Sequence, residues 1–207
     1  MLNPFRDSRP EKLLKALEQN DEAALVKVVA KTDAEFLGRP LRDGYTAAEL
    51  AIRAGRPKLL AQLLAAGADA NGSGRDGRSL LYCALQQPEA SLALLDALLL
   101  SGADPNSPAP EEPPALHLCF DQCPPHRLML HLSRLLQAGA DIDARAPDGL
   151  SLIERAILTQ RRELIHFVIH SGCAFPERAP GSIDADTWDY ALRCRQDYRI
   201  RQQFLAP

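Results

Sequence analysis

Apolar residues arrive along this chain in short bursts spaced three to four apart, which predicts a succession of short amphipathic helices. The stretch from Asp43 shows the unit. Thr46 is placed to cap a helix, its hydroxyl able to accept an orphan N–H of the first turn. Ala47, Leu50, Ala51 and Ala54 predict that short helix with a small, close-packing face. Gly55 ends it, since glycine tolerates the left-handed conformation after a helix. Pro57 opens the next helix, where its missing N–H costs nothing. Leu59, Leu60, Leu63 and Leu64 give the second helix its apolar stripe, and Gly67 closes it. One such pair cannot bury its stripe alone, so neighbours must stack.

The pattern repeats. "LLAAGADAN" begins at Leu63, "LLLSGADPN" at Leu98, "LLQAGADID" at Leu135 and "VIHSGCAFP" at Val168, spaced 35, 37 and 33 residues apart. A second phrase interleaves: "DGYTAAELAIRAG" from Asp43, "DGRSLLYCALQQP" from Asp76, "PPALHLCFDQC" from Pro113 and "DGLSLIERAILTQ" from Asp148. Self-similarity at this period marks a repeat architecture. In these residues the chain resembles the ankyrin-repeat proteins, whose pattern runs Asp-Gly-x-Thr-Pro-Leu-His-x-Ala-Ala, then Gly, then Leu-Leu-x-x-Gly-Ala-Asp-x-Asn. The resemblance covers residues 39–177. His117 falls on the family's histidine position; Glu49, Tyr82 and Glu154 occupy it in the other units.

The resemblance implies an all-α solenoid of about five helix-turn-helix units with β-turn-like connections. The expected domain runs over the whole chain: a degenerate cap at 9–38, repeats at 39–71, 72–106, 107–143 and 144–177, and a capping helix within 178–207. Two departures stand out. The third unit has lost its Asp-Gly and carries a Pro-rich insertion, "SPAPEEPPA", at residues 107–115. The fourth has lost its final Asp and Asn. The last helix is expected to start at Asp184 or Asp186 and to lay Trp188 over the last repeat, with Ala191, Leu192 and Arg195 at helical spacing. The alternative is a tail that orders on a partner.

Composition narrows the function. The net charge of -3 gives no bulk attraction to nucleic acid. The N-terminal segment lacks the apolar stretch of a secretory signal. The apolar run near residues 92–100 is broken by Asp96 and is too short for a membrane span. Five cysteines without paired spacing argue against a disulfide framework. A reducing cytoplasm is the simplest compartment, and export without a cleavable signal stays open. The Leu-, Ala- and Arg-rich composition suggests a bacterial product.

Three patterns could carry chemistry. Gly72, Gly74 and Gly77 spell G-x-G-x-x-G, but a nucleotide cradle needs a strand before it. Here a helical pattern precedes it. Only Gly77 has counterparts, Gly44 and Gly149, so Gly72 and Gly74 read as surplus residues that loosen the tip. His117, Cys119, Cys123 and His126 are zinc ligand types in a compact window. The repeat register places His117 at the turn-stabilising position and Cys119 at the small buried position of Ala51, Ala84 and Ala156. Cys83 and Cys173 also sit at packing positions, whereas Cys123 and Cys194 are less constrained. The recurring aspartates Asp43, Asp69, Asp76, Asp104, Asp141 and Asp148 read as turn residues. No catalytic residue, cofactor or metal ligand is assigned, and the chain reads as non-enzymatic.

What the resemblance implies for binding is a partner protein gripped by turn tips and inner helices. Carried over position by position, this gives Arg42, Tyr45 and Arg53, then Arg75, Arg78, Tyr82, Gln86 and Gln87, then Arg145 and Leu150 with Thr159 and Gln160. The third unit contributes Asp121 and Gln122. Arginine and tyrosine are enriched at interface hot spots. Four arginines at the tips of the first two full units, on a slightly acidic chain, point to an acidic protein partner, with no nucleic acid and no membrane, and to a monomer when alone. An intracellular adaptor or regulator is one reading. A dedicated inhibitor, such as an immunity protein covering a toxin's active site, is the second. A metal- or cysteine-dependent enzyme around residues 117–126 is the third.

Overall fold

The computed structural model describes residues 7–107, 109 and 112–205. Among the described residues there are twelve helices, no strand, and one isolated bridge between Ser73 and Ser79. The chain divides into two compact units, Met1–Ala138 and Gly139–Pro207. Among the described residues no helix is long and apolar enough to cross a membrane.

The first unit runs α1 (Arg9–Gln19), α2 (Glu22–Val29), α3 (Ala34–Gly38), α4 (Ala47–Arg53), α5 (Pro57–Ala65), α6 (Leu80–Leu85), α7 (Ser91–Leu100), α8 (Ala115–Gln122) and α9 (Leu128–Gln137). Helices α1, α4, α6 and α8 form one layer, each packed on the next, and α2, α5, α7 and α9 form the other. The hairpin mates α1–α2, α4–α5, α6–α7 and α8–α9 join the layers. The leucine stripes explain the packing. Leu59, Leu60, Leu63 and Leu64 of α5 are buried, as are Leu94, Leu95 and Leu98 of α7. Each buried leucine is worth about 1.5–3 kcal/mol of transfer free energy.

Three details differ from the sequence reading. The buried face of α4 is Ala47, Ala48, Glu49, Ala51 and Ile52, while Leu50 is half-buried and Ala54 exposed. The small alanines face two neighbouring helices at once, so the face is wider than one stripe. Between the N-terminal helix pair and α4 lies the extra short helix α3. Asp33 caps it by accepting the Phe36 N–H at 2.8 Å, and Phe36 and Leu37 anchor it in the core.

The third difference is Gly74. The second tip is a turn in which the Gly77 N–H donates to the Gly74 carbonyl (3.0 Å) and the Gly74 N–H to the Arg78 carbonyl (2.7 Å). Gly74 is therefore the first residue of the turn, and it is buried. A Cβ added there would meet Glu49 Oε1 at 2.9 Å. The glycine is required by the close approach of the Glu49 carboxylate. The first tip is tighter: Asp43 and Gly44 both have positive φ, 53° and 82°, as a two-residue mirror-type turn demands.

The second unit contains α10 (Leu152–Leu158), α11 (Arg162–His170) and α12 (Ala185–Leu205). α10 and α11 pair, and α12 packs on both. Ser151 and Glu154 close a reciprocal capping box at the start of α10. Asp184 opens α12 by accepting from the Thr187 N–H at 2.7 Å and its hydroxyl at 2.8 Å. The buried seam of α12 is Thr187, Ala191 and Cys194. Trp188 is half-buried beside Phe175, with ring centroids 5.5 Å apart, and Leu192 lies exposed. Of the expected positions Trp188, Ala191, Leu192 and Arg195, Ala191 lies in the seam, and the small residues Thr187, Ala191 and Cys194 let α12 approach closely.

The glycine finding gives a contrast between two substitutions. Gly74→Ala should lower unfolding free energy by about 1–3 kcal/mol, because the Glu49 carboxylate must shift. Gly38→Ala, with nothing within 4 Å of the added carbon, should be neutral or stabilise by about 0.5 kcal/mol. Urea denaturation of both variants checks this, and equal midpoints would refute the packing account.

Candidate functional site

The third residue of each inner helix sets the local chemistry. In α4 it is Glu49, 1% exposed, whose Oε2 accepts the Arg75 N–H of the next tip at 2.8 Å. In α10 it is Glu154, which accepts from the N–H and hydroxyl of its own cap Ser151, both at 2.7 Å. In α6 it is Tyr82, which cannot accept in that way. The cap Ser79 instead donates its N–H and hydroxyl to Glu112, both at 2.7 Å. Glu112 comes from the Pro-rich insertion and also accepts the Ala109 N–H at 3.0 Å. It completes a capping box from outside the helix.

Tyr82, released from capping, lies under a guanidinium. Arg78 sits over its ring at 5.0 Å from the centroid. In the neighbouring repeat Tyr45 carries two: Arg53 at 4.7 Å and Arg75 at 5.3 Å. Tyr45, Glu49, Arg53, Arg75 and Asp76 line a cleft of about 240 Å³. Larger hollows of about 380 and 350 Å³ lie elsewhere on the first unit. They are mostly aliphatic, and the charged pair in the first, Arg134 and Asp96, is joined at 3.2 Å. Chemistry, rather than size, favours the tyrosine–arginine cleft.

The other expected contact residues fall in several states. Arg42 is ion-paired with Glu18 of α1. Gln86 donates to the Tyr82 hydroxyl at 3.0 Å, and Gln87 reaches the Cys83 carbonyl at 3.5 Å. In the second unit Arg145 donates to the Gly149 carbonyl at 2.6 Å and pairs with Glu154 at 3.3 Å. Leu150 is half-buried, with its N–H bonded to Asp148. Thr159 bonds the Ala156 carbonyl, and Gln160 donates to Asp184. Asp121 and Gln122 lie exposed at the end of α8. The structure thus brings Tyr45, Arg53 and Arg75 together in one cleft and sets Arg78 on Tyr82 at the same tip.

Five of the six turn aspartates bond a nearby N–H as expected, while Asp43 serves its turn through a positive φ instead. Asp69, Asp104 and Asp141 each accept the N–H two residues on, all at 2.9 Å, and Asp76 and Asp148 do the same at 3.2 and 3.0 Å. Asn71 adds a tie to the next repeat, accepting the Asp104 N–H at 2.7 Å. The G-x-G-x-x-G string follows α5 and contains a turn, so the strand-to-helix context of a phosphate cradle is missing.

The zinc-type window does not assemble as the spacing suggested. His117 is buried, while His126 is exposed. Cys123 and Cys194, expected to be loosely held, are both buried. Among the described residues one set of metal-type donors converges, Glu49, Asp76 and Cys83, within 4.8 Å of one another. It suits a cation poorly. Burial first, and then the Glu49 carboxylate, push the Cys83 thiol up to about 12. Arg53 and Arg75 line the same cleft.

Two residues of consequence escaped the sequence reading. Glu112 lay inside a stretch read as an irregular insertion. His131 carries its own signal: it stands in α9 where the sister helices have Leu59, Leu94 and Leu164. Glu112→Ala should cost about 2 kcal/mol, since it strands the Ser79 N–H and hydroxyl. Glu112→Gln should retain part of that. A thermal scan that finds Glu112→Ala at the parent midpoint would refute the capping role.

No family model matches the chain, and no curated protein matches it. Among solved structures it is similar to the ankyrin repeat domain of Bcl-3, described as a unique member of the IkappaB protein family. The likeness has a TM-score of 0.68 at 23% identity, over 87% of this chain and 81% of that one. With the helix pairs, tips and layers described above, it shows that the chain has the all-α ankyrin-repeat fold.

Proposed function

We propose that the chain is a non-enzymatic protein-binding module whose first unit grips an acidic stretch of a partner protein. The observation that carries this is the state of three arginines. Arg53, Arg75 and Arg78 lie on tyrosine faces, and among the described residues none is ion-paired with a carboxylate. Most other arginines of the unit are paired, as Arg42 is with Glu18 and Arg134 with Asp96. Two carboxylates line the cleft, and each accepts a backbone N–H of the tip, Glu49 from Arg75 and Asp76 from Arg78. Stacking on an aromatic ring holds a guanidinium in place while leaving its N–H fork free for a carboxylate. Such pairing supplies orientation and fast association. Tyr82 with Gln86 extends the surface along α6, and Arg42, Gln87, Arg145 and Leu150 are secondary contacts on this reading. The role is that of an adaptor or regulator, or of an inhibitor that covers a cognate toxin or enzyme. One-to-one nanomolar binding to a single protein favours the inhibitor.

Glu- and Asp-rich peptides displayed as a library provide the test. Arg75→Glu/Arg78→Glu should weaken selected acidic peptides by about 100-fold without lowering the thermal midpoint. Raising the salt should weaken wild-type binding as well. Binding that survives the double charge reversal would sink the proposal, and selection of single-stranded nucleic acid over acidic peptide would replace it.

A further inference from the structure

The turn after α11 departs from its sisters in charge. Where the other units have Asp69, Asp104 and Asp141, this turn has Ala174, followed by Phe175. The tie between repeats survives the loss, because Asp143 accepts the Ala174 N–H at 2.7 Å, as Asn71 accepts that of Asp104. The chain turns at Gly172 (φ 92°) close under the Tyr198 hydroxyl, which lies 3.1 Å from where a Cβ would stand. Phe175 meets two residues of α12. Its ring centroid is 5.5 Å from that of Trp188, and the Arg195 guanidinium lies over it at 4.8 Å. Tyr198 is set edge-on to His170, with centroids 5.6 Å apart.

These contacts frame a cleft of about 240 Å³, lined by Arg195, Tyr198 and Arg199 of α12 and by Ile169, Ala174 and Phe175 from α11 and its turn. No carboxylate lines it. Asp143 stands outside the lining, with its oxygen turned to the Ala174 N–H. Among the described residues neither Arg195 nor Arg199 is ion-paired, and the Tyr198 hydroxyl makes no hydrogen bond. We propose that this cleft binds the phosphate group of a phosphorylated serine or threonine side chain in a partner protein. The site stands on the second unit alone and does not depend on the acidic stretch proposed for the first.

Donor count and charge select the ligand. Arg195 and Arg199 stand one helical turn apart, so both forks address the same space. A single fork already satisfies a planar carboxylate. A phosphomonoester brings three acceptor oxygens and a charge of about −1.5 to −2 at pH 7, which matches two guanidinium groups and a phenolic O–H. Stacking on Phe175 orders Arg195 in advance and leaves its fork open. The C-terminal end of α11 works against an anion. Its last carbonyls are occupied, however, since those of Phe167, Val168 and Ile169 accept the Ser171 and Gly172 N–H groups. Ile169 and Ala174 offer a short aliphatic contact, which suits the stem of serine or threonine better than a phenyl ring. The cleft of the first unit differs, because Glu49 and Asp76 line it and would repel a dianion.

The test offers the full chain a library of short peptides, each with a central phosphoserine. The tightest ligand is then remade with phosphoserine, serine or glutamate at that position. The phosphopeptide should bind at least about tenfold more tightly than either counterpart. Arg199→Gln changes an exposed residue, so it should keep the parent thermal midpoint while weakening the phosphopeptide about tenfold. Arg195→Lys keeps the charge and loses the fork, and should weaken it by a similar factor. Tyr198→Phe should cost about threefold. Arg75→Glu/Arg78→Glu should leave this binding unchanged, which separates the site from the first-unit cleft. A library that yields no phosphopeptide ligand, or a glutamate peptide that binds as well, would overturn the proposal. So would phosphopeptide binding untouched by Arg199→Gln and Arg195→Lys. Displacement of the phosphopeptide by an equal concentration of inorganic phosphate or ATP would overturn the peptide as occupant.

Discussion

The backbone N–H groups at each tip must find acceptors, and the residue three places into each inner helix decides where those acceptors come from. A helix start leaves several N–H groups without intrahelical partners. Glu154 answers this within its own turn through Ser151. Glu49 reaches out instead and binds the Arg75 N–H of the following tip. That bond crosses from one repeat to the next, so it fixes the tip against α4 as well as satisfying a donor. Gly74 follows from it, because the carboxylate occupies the space a side chain would need. Tyr82 cannot accept in this way, and Glu112 has to be brought in from the insertion. Three solutions to one donor problem therefore shape three different tips.

The same allocation explains the surface charge. A carboxylate turned toward a backbone N–H pairs with a guanidinium only where the guanidinium also reaches it, as Arg145 reaches Glu154 and as Arg53 and Arg75 do not reach Glu49. Glu49 lines the cleft with Arg53 and Arg75, yet its accepting oxygen points at the turn. The arginines settle on Tyr45, which contributes a π face and no charge. The cleft is then ordered while its guanidinium groups remain without ion pairs, which is what the proposed binding of a carboxylate requires. In the second unit Arg145 is bonded to Gly149 and paired with Glu154, so its fork is already engaged. The two tips share a sequence phrase and differ in what they leave to offer.

Most of the fold was legible because it rests on periodicity. The leucine stripes, the caps at Thr46, Ser79 and Ser151, and the turn aspartates all follow from local rules that hold wherever the phrase recurs. The errors came where a residue answers to something distant in sequence. Gly74 looked surplus because its constraint lies 25 residues back, in Glu49. The face of α4 was drawn too narrow because an inner helix touches two neighbours as well as its mate. Cys123 looked free because loop residues usually are, and nothing local shows that it is buried. At the second tip the residue types were readable, but not that Arg53 and Arg75 would share one ring.

Departures from a repeat are more informative than agreement with it, provided they are sorted by cost. An exposed departure costs little and drifts freely. A polar residue in a buried apolar register costs several kcal/mol unless its bonds are met. Glu112 and His131 are both of the expensive kind, each buried. Glu112 repays its burial structurally, because Ser79 and Ala109 need its oxygens. His131 has no such debt to settle, since leucine serves the equivalent place in three sister helices. Ser91, which satisfies it, is itself buried and would need no partner if both were apolar. The pair meets its own cost inside the core, His131 through Ser91 on one ring nitrogen and the Arg127 carbonyl on the other, which is how a polar residue can stand in a leucine register.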